Sequence, residues 1–272
     1  MRHAEGLVDW RPDIPSTARM YDYFLGGKDN YPADREAAEK AIALMPPGVV
    51  RGAALQNRRF LIRAVRYLVA EAGIRQFLDI GAGLPTMENV HDVAQAIAPE
   101  SRIVYVDYDP VVLAHARDLL FHNDRTTIIG HDVREPEQIL ADPALRALLD
   151  LNEPVAVMLV AILHYIRDCE DPAGLVSRLM AAMPSGSYLV LSHSTADSDE
   201  QALVAAKIYD KATAPMLLRS RAEVTKLFDG LDLVEPGVVW LSRWHPDSDH
   251  PDSDHPDEPG ASYLWCGVAC KP

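Results

Sequence analysis

The chain has 272 residues, 48% hydrophobic and 24% charged, with a formal net charge of −14. That composition suits a globular protein with a substantial core. The acidic balance excludes general affinity for nucleic acid, which depends on Lys and Arg displacing counterions from phosphates. No run of about 18 apolar residues suggests a membrane span. The opening MRHAEGLVDWRPDIP has neither the basic start nor the apolar core of a secretory signal, so a cytoplasmic protein is expected. Cys169, Cys266 and Cys270 are odd in number and lack paired CxxC spacing, which argues against a disulfide framework or a structural zinc site.

The N-terminal quarter reads as helical. STARMYDYFLGG offers Ser16 or Thr17 as an N-cap and Gly26 or Gly27 as a stop. A second helix is expected from Pro32 or Ala33 to Met45, closed by Pro46 and Pro47, and a third from Val49 to Ala72, stopping at Gly73. Arg58, Arg59, Arg63 and Arg66 interrupt the apolar spacing of the third. They read as a solvated or salt-bridged face, with an anionic ligand or partner as the alternative. Residues 1–73 are expected to form a helical cap on a second unit, 74–272, with the two making one compact body.

From Gln76 onward, short apolar runs at 77–80, 102–106, 126–130, 155–160 and 187–192 alternate with helical patterns at 88–98, 110–120, 135–149 and 172–183. Such alternation predicts a parallel sheet covered on both faces. Helices at 199–212 and 221–228 are followed by LDLVEPGVVWLSRW and SYLWCGVAC, which predict a C-terminal antiparallel hairpin and a sheet of seven strands. The connection within that hairpin repeats HPDSD at 245–249 and 250–254. Its His and Asp residues are metal-ligand types, but Pro, Asp and Ser in tandem read as a solvated loop, and no metal is expected.

Three strand ends carry the chemistry. FLDIGAGLPT (77–86) runs a buried strand into a Gly-rich turn, with Asp79 at the strand's end and Gly81, Ala82 and Gly83 where backbone must turn sharply or approach a ligand. Thr86 stands where a dinucleotide fingerprint needs its third glycine, which weakens a nicotinamide reading. RIVYVDYDP then places Asp107 where an acid can accept hydrogen bonds from two ribose hydroxyls, with Tyr108 beside it and Asp109 as an N-cap before Pro110. TTIIGHDV places Asp132 and Val133 after the third strand, where an N-cap is the plainer role for Asp132.

The Asp79-Gly81-Gly83 pattern resembles motif I of class I methyltransferases, and this resemblance implies S-adenosyl-L-methionine as cofactor and Asp132 as an adenine contact. The fourth strand lacks the Asp-Pro-Pro-Tyr or Asn-Pro-Pro-Tyr run used on nucleobase amines. His164 and His193, after the fourth and fifth strands, are candidate general bases, with structural histidines as the equal alternative. Transfer to an already nucleophilic acceptor needs no base at all.

The chain as a whole is similar to the actinobacterial S-adenosyl methyltransferase family, formerly a domain of unknown function. The likeness rests on STARMYDYFLGGKDNYPADRE, LQNRRFLIRAVRYL, FLDIGAGLPT, VYVDYDPVVLAHAR, AILHYI, LRSRAEVTKLFDGLDLVEPGVV and SRW. It implies a class I methyltransferase α/β fold, Rossmann-like, with a seven-stranded mostly parallel sheet. The distinctive YDYFLGGKDNY block is expected to fold over the cofactor as a lid. Tyr21 and Asn30 would touch the cofactor, and Tyr23 joins the two histidines as a catalytic candidate. Trp240, at a position associated with Pro, and the HPDSD duplication depart from the family pattern. A small-molecule methyl acceptor is expected, the alternative being a non-catalytic sensor of the sulfur nucleosides.

Overall fold

The computed structural model describes residues 11–85, 88–246 and 262–272. Three helices come first: α1 (Thr17–Phe24), α2 (Pro32–Ala43) and α3 (Val49–Ala70). Pro32 starts α2 in the first-turn position, where its missing N–H costs nothing. Alternation then begins with β1 (Gln76–Ile80), α4 (Val90–Ile97), β2 (Arg102–Asp107), α5 (Pro110–Leu119) and β3 (Thr126–Gly130). It continues through α6 (Pro136–Ala141), α7 (Pro143–Leu148), β4 (Ala156–Val160), α8 (Pro172–Ala181) and β5 (Tyr188–Ser194). The C-terminal part holds α9 (Gln201–Ala206), α10 (Arg221–Lys226), β6 (Asp232–Leu233), β7 (Val239–Trp240) and β8 (Leu264–Cys270).

The strands form one sheet in the order β3-β2-β1-β4-β5-β8-β6, with β7 also paired to β8. β1 to β5 are parallel, and β8 runs antiparallel to β5 on one edge and to β6 and β7 on the other. Apolar side chains on alternate strand positions feed two cores. Phe77, Ile103 and Met158 pack on the face covered by α3 and α4, and Leu78, Val104 and Val157 on the opposite face. A smaller cluster of Met20, Phe24, Ala38, Ala54 and Tyr209 holds the N-terminal helices together and to the segment after α9. Among the described residues, no helix is long and apolar enough to cross a membrane, and no group of three or more His, Cys, Asp or Glu could hold a metal ion. The three cysteines are free.

The mostly parallel sheet with a reversed C-terminal end is the expected architecture, and the local departures have physical causes. The helix predicted over 135–149 is two helices, because Pro143 cannot continue the hydrogen-bond ladder and Asp142 caps the new start by accepting from Ala144 N–H at 2.8 Å. The sixth strand is broken into β6 and β7 by a turn at 234–237, where Gly237 N–H donates to the Val234 carbonyl and Gly237 takes a positive φ of 82°. Between the Leu233–Ala269 and Val239–Cys266 pairs, five residues thus oppose two on β8, a pronounced bulge. Beyond it, Trp240 stacks on Trp265 of β8 with ring centroids 3.3 Å apart. The helix predicted over 199–212 begins at Gln201 and tightens to 3-10 geometry over Lys207–Lys211. The HPDSD duplication lies outside the described residues apart from His245 and Pro246.

The arginines of α3 correct the expectation of an outward charged face. Arg59 and Arg66 are exposed, but Arg58 and Arg63 are buried. Arg63 donates to the carbonyls of Trp244 (3.0 Å) and Leu241 (2.6 Å), which fastens the C-terminal segment to α3. Another buried network ties α1 to the sheet. Ser16 Oγ donates to Asp109 at 2.7 Å, and Asp34 accepts from Ser16 N–H at 2.8 Å and from Arg19 Nε at 2.7 Å.

Candidate functional site

β1 and β4 are neighbours whose connections leave in opposite directions, and in open α/β sheets the crevice at such a point, beyond the carboxyl ends of the strands, is where ligands bind. A cleft of about 880 Å³ of empty space, its open mouth included, lies there. Its floor is Asp79, Gly81, Ala82 and Gly83 from the end of β1, its sides come from Asp107 and Tyr108 after β2 and from His131 and Val133 after β3, and its roof is Ser16, Thr17, Tyr21 and Arg58 from the N-terminal helices.

The turn after β1 needs its glycines. Gly81 and Gly83 adopt φ of 77° and 66°, and a Cβ on Gly81 would lie 2.2 Å from the Ile162 side chain. Asp107 is buried, and its carboxylate is held by two backbone donors, Gly83 N–H at 3.0 Å and Asp109 N–H at 2.9 Å. A carboxylate has about four lone-pair positions, so acceptor capacity remains toward the cleft. Asp109 caps α5 by accepting from Val111 N–H at 2.8 Å.

Burial pushes the Asp107 carboxyl up to about 6, against the pull of the N–H donors of Asp109 and Gly83. Burial likewise pushes Asp79 up to about 7; the Arg58 guanidinium draws it down and the Asp107 carboxylate drives it further up. Between about pH 4 and pH 7, then, the folded chain holds a proton at Asp79 that the unfolded chain has released. Stability falls as pH rises through that window and stays at the lower level above it. Asp79→Asn should therefore melt at a higher temperature than the parent at pH 8, with the difference closing toward pH 4; thermal melts showing a pH-independent difference would contradict this origin.

Arg58, expected on an outward face, is instead buried at the cleft. One Nη donates to the Glu88 carbonyl at 2.6 Å, while its buried Nε has no hydrogen-bond partner. A buried guanidinium with an unused donor at the roof of a cleft is an anion-binding group in wait.

The remaining candidates separate. Tyr21 lines the cleft and is fixed, donating to the Ala54 carbonyl at 3.0 Å and accepting from Asn57 Nδ2 at 3.0 Å. Asn30 does not line it. Its Nδ2 donates to Asp22 at 2.7 Å, and Gly27 packs so closely on Asp22 that a Cβ would lie 1.9 Å from its carboxylate. The polar groups of the YDYFLGGKDNY block thus organise a tight loop around a buried acid. Tyr23 reaches outward to Glu39 under Arg51. Asp132 is engaged by Arg134 at 3.0 Å, and its neighbours His131 and Val133 form the cleft wall.

His193 does not line the cleft. Arg219 can only donate, so Nε2 of His193 accepts from it at 2.8 Å and Nδ1 carries the proton, donating to the Ser194 carbonyl at 2.8 Å. Burial lowers this imidazole to about 4. His164 is also held neutral by burial, with His193 and Arg219 adding to the effect, and its Nδ1 accepts from Ser194 N–H at 3.3 Å. His164 lines a second cavity that adjoins the cleft.

A strand order of 3-2-1-4-5 extended by a reversed strand, with a carboxylate-lined cleft at the switch point, is the architecture of the class I methyltransferases. The model of a family described as S-adenosyl methyltransferase matches residues 8–272, and the chain belongs to that family. It is accordingly an S-adenosylmethionine-dependent methyltransferase, with S-adenosylmethionine as its cofactor. The chain is 43% identical, with a TM-score of 0.90, to a DUF574 family protein from Streptomyces avermitilis MA-4680, over 96% of this chain and 100% of that one. It is 38% identical, with a TM-score of 0.89, to a candidate methyltransferase from Thermobifida fusca YX, over 100% of this chain and 99% of that one. The N-methyltransferase NodS of Bradyrhizobium japonicum WM9 bound to S-adenosylhomocysteine shares the fold at 13% identity and a TM-score of 0.50, over 93% and 99% of the two chains. Over 58 residues the chain is 34% identical to the ribosomal RNA small subunit methyltransferase H of Halorhodospira halophila (strain DSM 244 / SL1), a stretch covering 21% of this chain and 18% of that protein.

Proposed function

We propose that this methyltransferase acts on a small-molecule acceptor and holds its cofactor in the β1–β4 cleft, Asp107 receiving the ribose hydroxyls. The observation that carries the reading is the buried Asp107 carboxylate, fixed by Gly83 and Asp109 yet facing the cleft with acceptor capacity to spare. Asp79, Gly81, Ala82 and Gly83 lie under the methionine portion, and the unused donor of Arg58 suits that portion's carboxylate. Tyr108, Val133 and Asp132 take the adenine side, with Asp132 exchanging part of its bond to Arg134 for the exocyclic amine. Residues 1–73 serve as the cap over 74–272, with Ser16, Thr17 and Tyr21 as the part that covers the cofactor.

When bound, S-adenosylmethionine supplies an electrophilic methyl group on a sulfonium centre. The protein's own contribution is alignment and exclusion of water. His193 and His164 are held as neutral, hydrogen-bonded imidazoles, so the reading rests on an acceptor that is nucleophilic without a dedicated protein base. The negative overall charge favours an acceptor that is not a polyanion. Family membership argues against a purely sensory role.

Calorimetric titration of the full chain with S-adenosylmethionine, S-adenosylhomocysteine and a nicotinamide dinucleotide tests the cofactor site. Selective, saturable binding of the two sulfur nucleosides is expected; preferential binding of the dinucleotide would overturn it.

A further inference from the structure

The second cavity holds about 740 Å³ of empty space, open mouth included. It lies between the N-terminal helices and the segments that follow β4, β5 and α9. Among the described residues, no Asp, Glu, Lys or Arg lines it. Its walls are aliphatic and aromatic: Phe24, Met45, Ala53, Ala202, Tyr209 and Leu218 are representative.

This chamber and the cofactor cleft share four lining residues, Tyr21, Asn57, Ala161 and Tyr165. The shared rim is hydrogen-bonded and polar, and His164, Ser194 and Thr195 add further polar groups to a mostly apolar lining. Asn57 donates to Tyr21 at 3.0 Å and accepts from Ser192 Oγ at 2.6 Å, and Ser192 Oγ accepts from Ala161 N–H at 2.9 Å. Ala161 is held at φ of 58°, a conformation costly for a residue with a Cβ and retained only when its surroundings impose it.

We infer that the chamber is the acceptor site, and that the acceptor is an uncharged, predominantly apolar small molecule with an aromatic or aliphatic body. It presents one polar group to the cofactor cleft across the Tyr21–Asn57 rim. The inference rests on the cofactor reading above and adds the class of substrate. A charged body in this chamber would lose its hydration with no opposite charge to meet it, whereas an apolar one gains from every part of the wall it covers. Asn57 and the Tyr21 hydroxyl, each already anchored elsewhere, leave the rim as the natural place for the acceptor's polar group.

The test uses the full chain saturated with S-adenosylhomocysteine and titrated with the neutral fluorophore 1-N-phenylnaphthylamine. Saturable binding is expected, displaced by neutral 1-naphthol but not by the carboxylate 1-naphthoate. Ala53→Phe on α3 and Ala202→Leu on α9 fill the chamber from two walls and should each weaken the fluorophore at least about tenfold, with S-adenosylhomocysteine affinity within about twofold of the parent. Retained S-adenosylhomocysteine binding also reports that a variant is folded, so either variant suffices if the other misfolds. The inference is overturned if the fluorophore does not saturate, if both filled variants bind it unchanged, or if 1-naphthoate competes as well as 1-naphthol. Failure of the parent chain to bind S-adenosylhomocysteine in calorimetry would instead strike the cofactor reading, before any fluorophore is added.

Discussion

Asp107→Ala should weaken S-adenosylhomocysteine binding by about 100-fold or more. Hydrogen bonds to a charged group contribute about 1.5–3 kcal/mol each. Two ribose hydroxyls on this carboxylate, as proposed, would therefore contribute at least about 3 kcal/mol, with tenfold in affinity for every 1.4 kcal/mol. Alanine also strips Gly83 N–H and Asp109 N–H of their acceptor, so the turn after β1 could loosen along with the ribose site. Asp107→Asn separates the two effects, since the amide oxygen can keep one backbone donor while losing the second charged acceptor. It should retain the parent's fold by circular dichroism and still lose most of the affinity. A folded Asp107→Asn protein with near-parental affinity would remove the ribose assignment. Because burial lifts the Asp107 carboxyl to about 6, parental affinity should also decline as pH falls below about 6, where the carboxylate takes a proton and becomes partly a donor. Asp132→Ala should have the smaller effect, because Arg134 already occupies that carboxylate.

The parts of this architecture that depend on local chemistry were legible in the sequence. Asp109 before Pro110 announces a helix cap, and Asp109 does cap α5. The Gly81-Gly83 turn announces a backbone that ordinary residues resist, and both glycines have positive φ. Two breaks were legible in principle and were passed over: Asp142-Pro143 inside a helical pattern, and Val234-Glu235-Pro236-Gly237 inside an apolar strand. In each, a proline removes a donor that the longer element would have required.

What was not legible depends on which elements meet. α3 is covered on more than one side, so its arginines could not be sorted by spacing: Arg59 and Arg66 reach solvent, while Arg58 roofs the cleft and Arg63 binds the C-terminal carbonyls. Asn30 sits in a conspicuous polar block, and nothing in its spacing reveals that Asp22 turns inward to receive it. The mostly apolar chamber is drawn from segments spread over more than two hundred residues, and no spacing within any one of them shows that they meet.

Arg58 offers the sharpest dissection of the cleft, because the proposed site sets it and Asp107 against different ends of the same ligand. S-Adenosylhomocysteine carries an amino-acid carboxylate; 5′-methylthioadenosine has the same nucleoside and thioether without it. If the unpartnered Nε of Arg58 awaits that carboxylate, Arg58→Met should cost S-adenosylhomocysteine about 2–3 kcal/mol, the usual scale for a buried charge-assisted bond. That is roughly 30- to 150-fold in calorimetry, and 5′-methylthioadenosine should be within about threefold of its parental affinity. Asp107→Asn should weaken both ligands together. Equal losses for both ligands in Arg58→Met would make Arg58 a packing element of the roof, and no loss for either would leave the carboxylate to another donor. Removing this cation also removes the positive charge that draws the Asp79 carboxyl down, so Asp79 should titrate still higher in the variant. A pH-dependent component of the loss, greatest near neutrality and absent from Arg58→Met combined with Asp79→Asn, would separate this indirect effect from the direct bond.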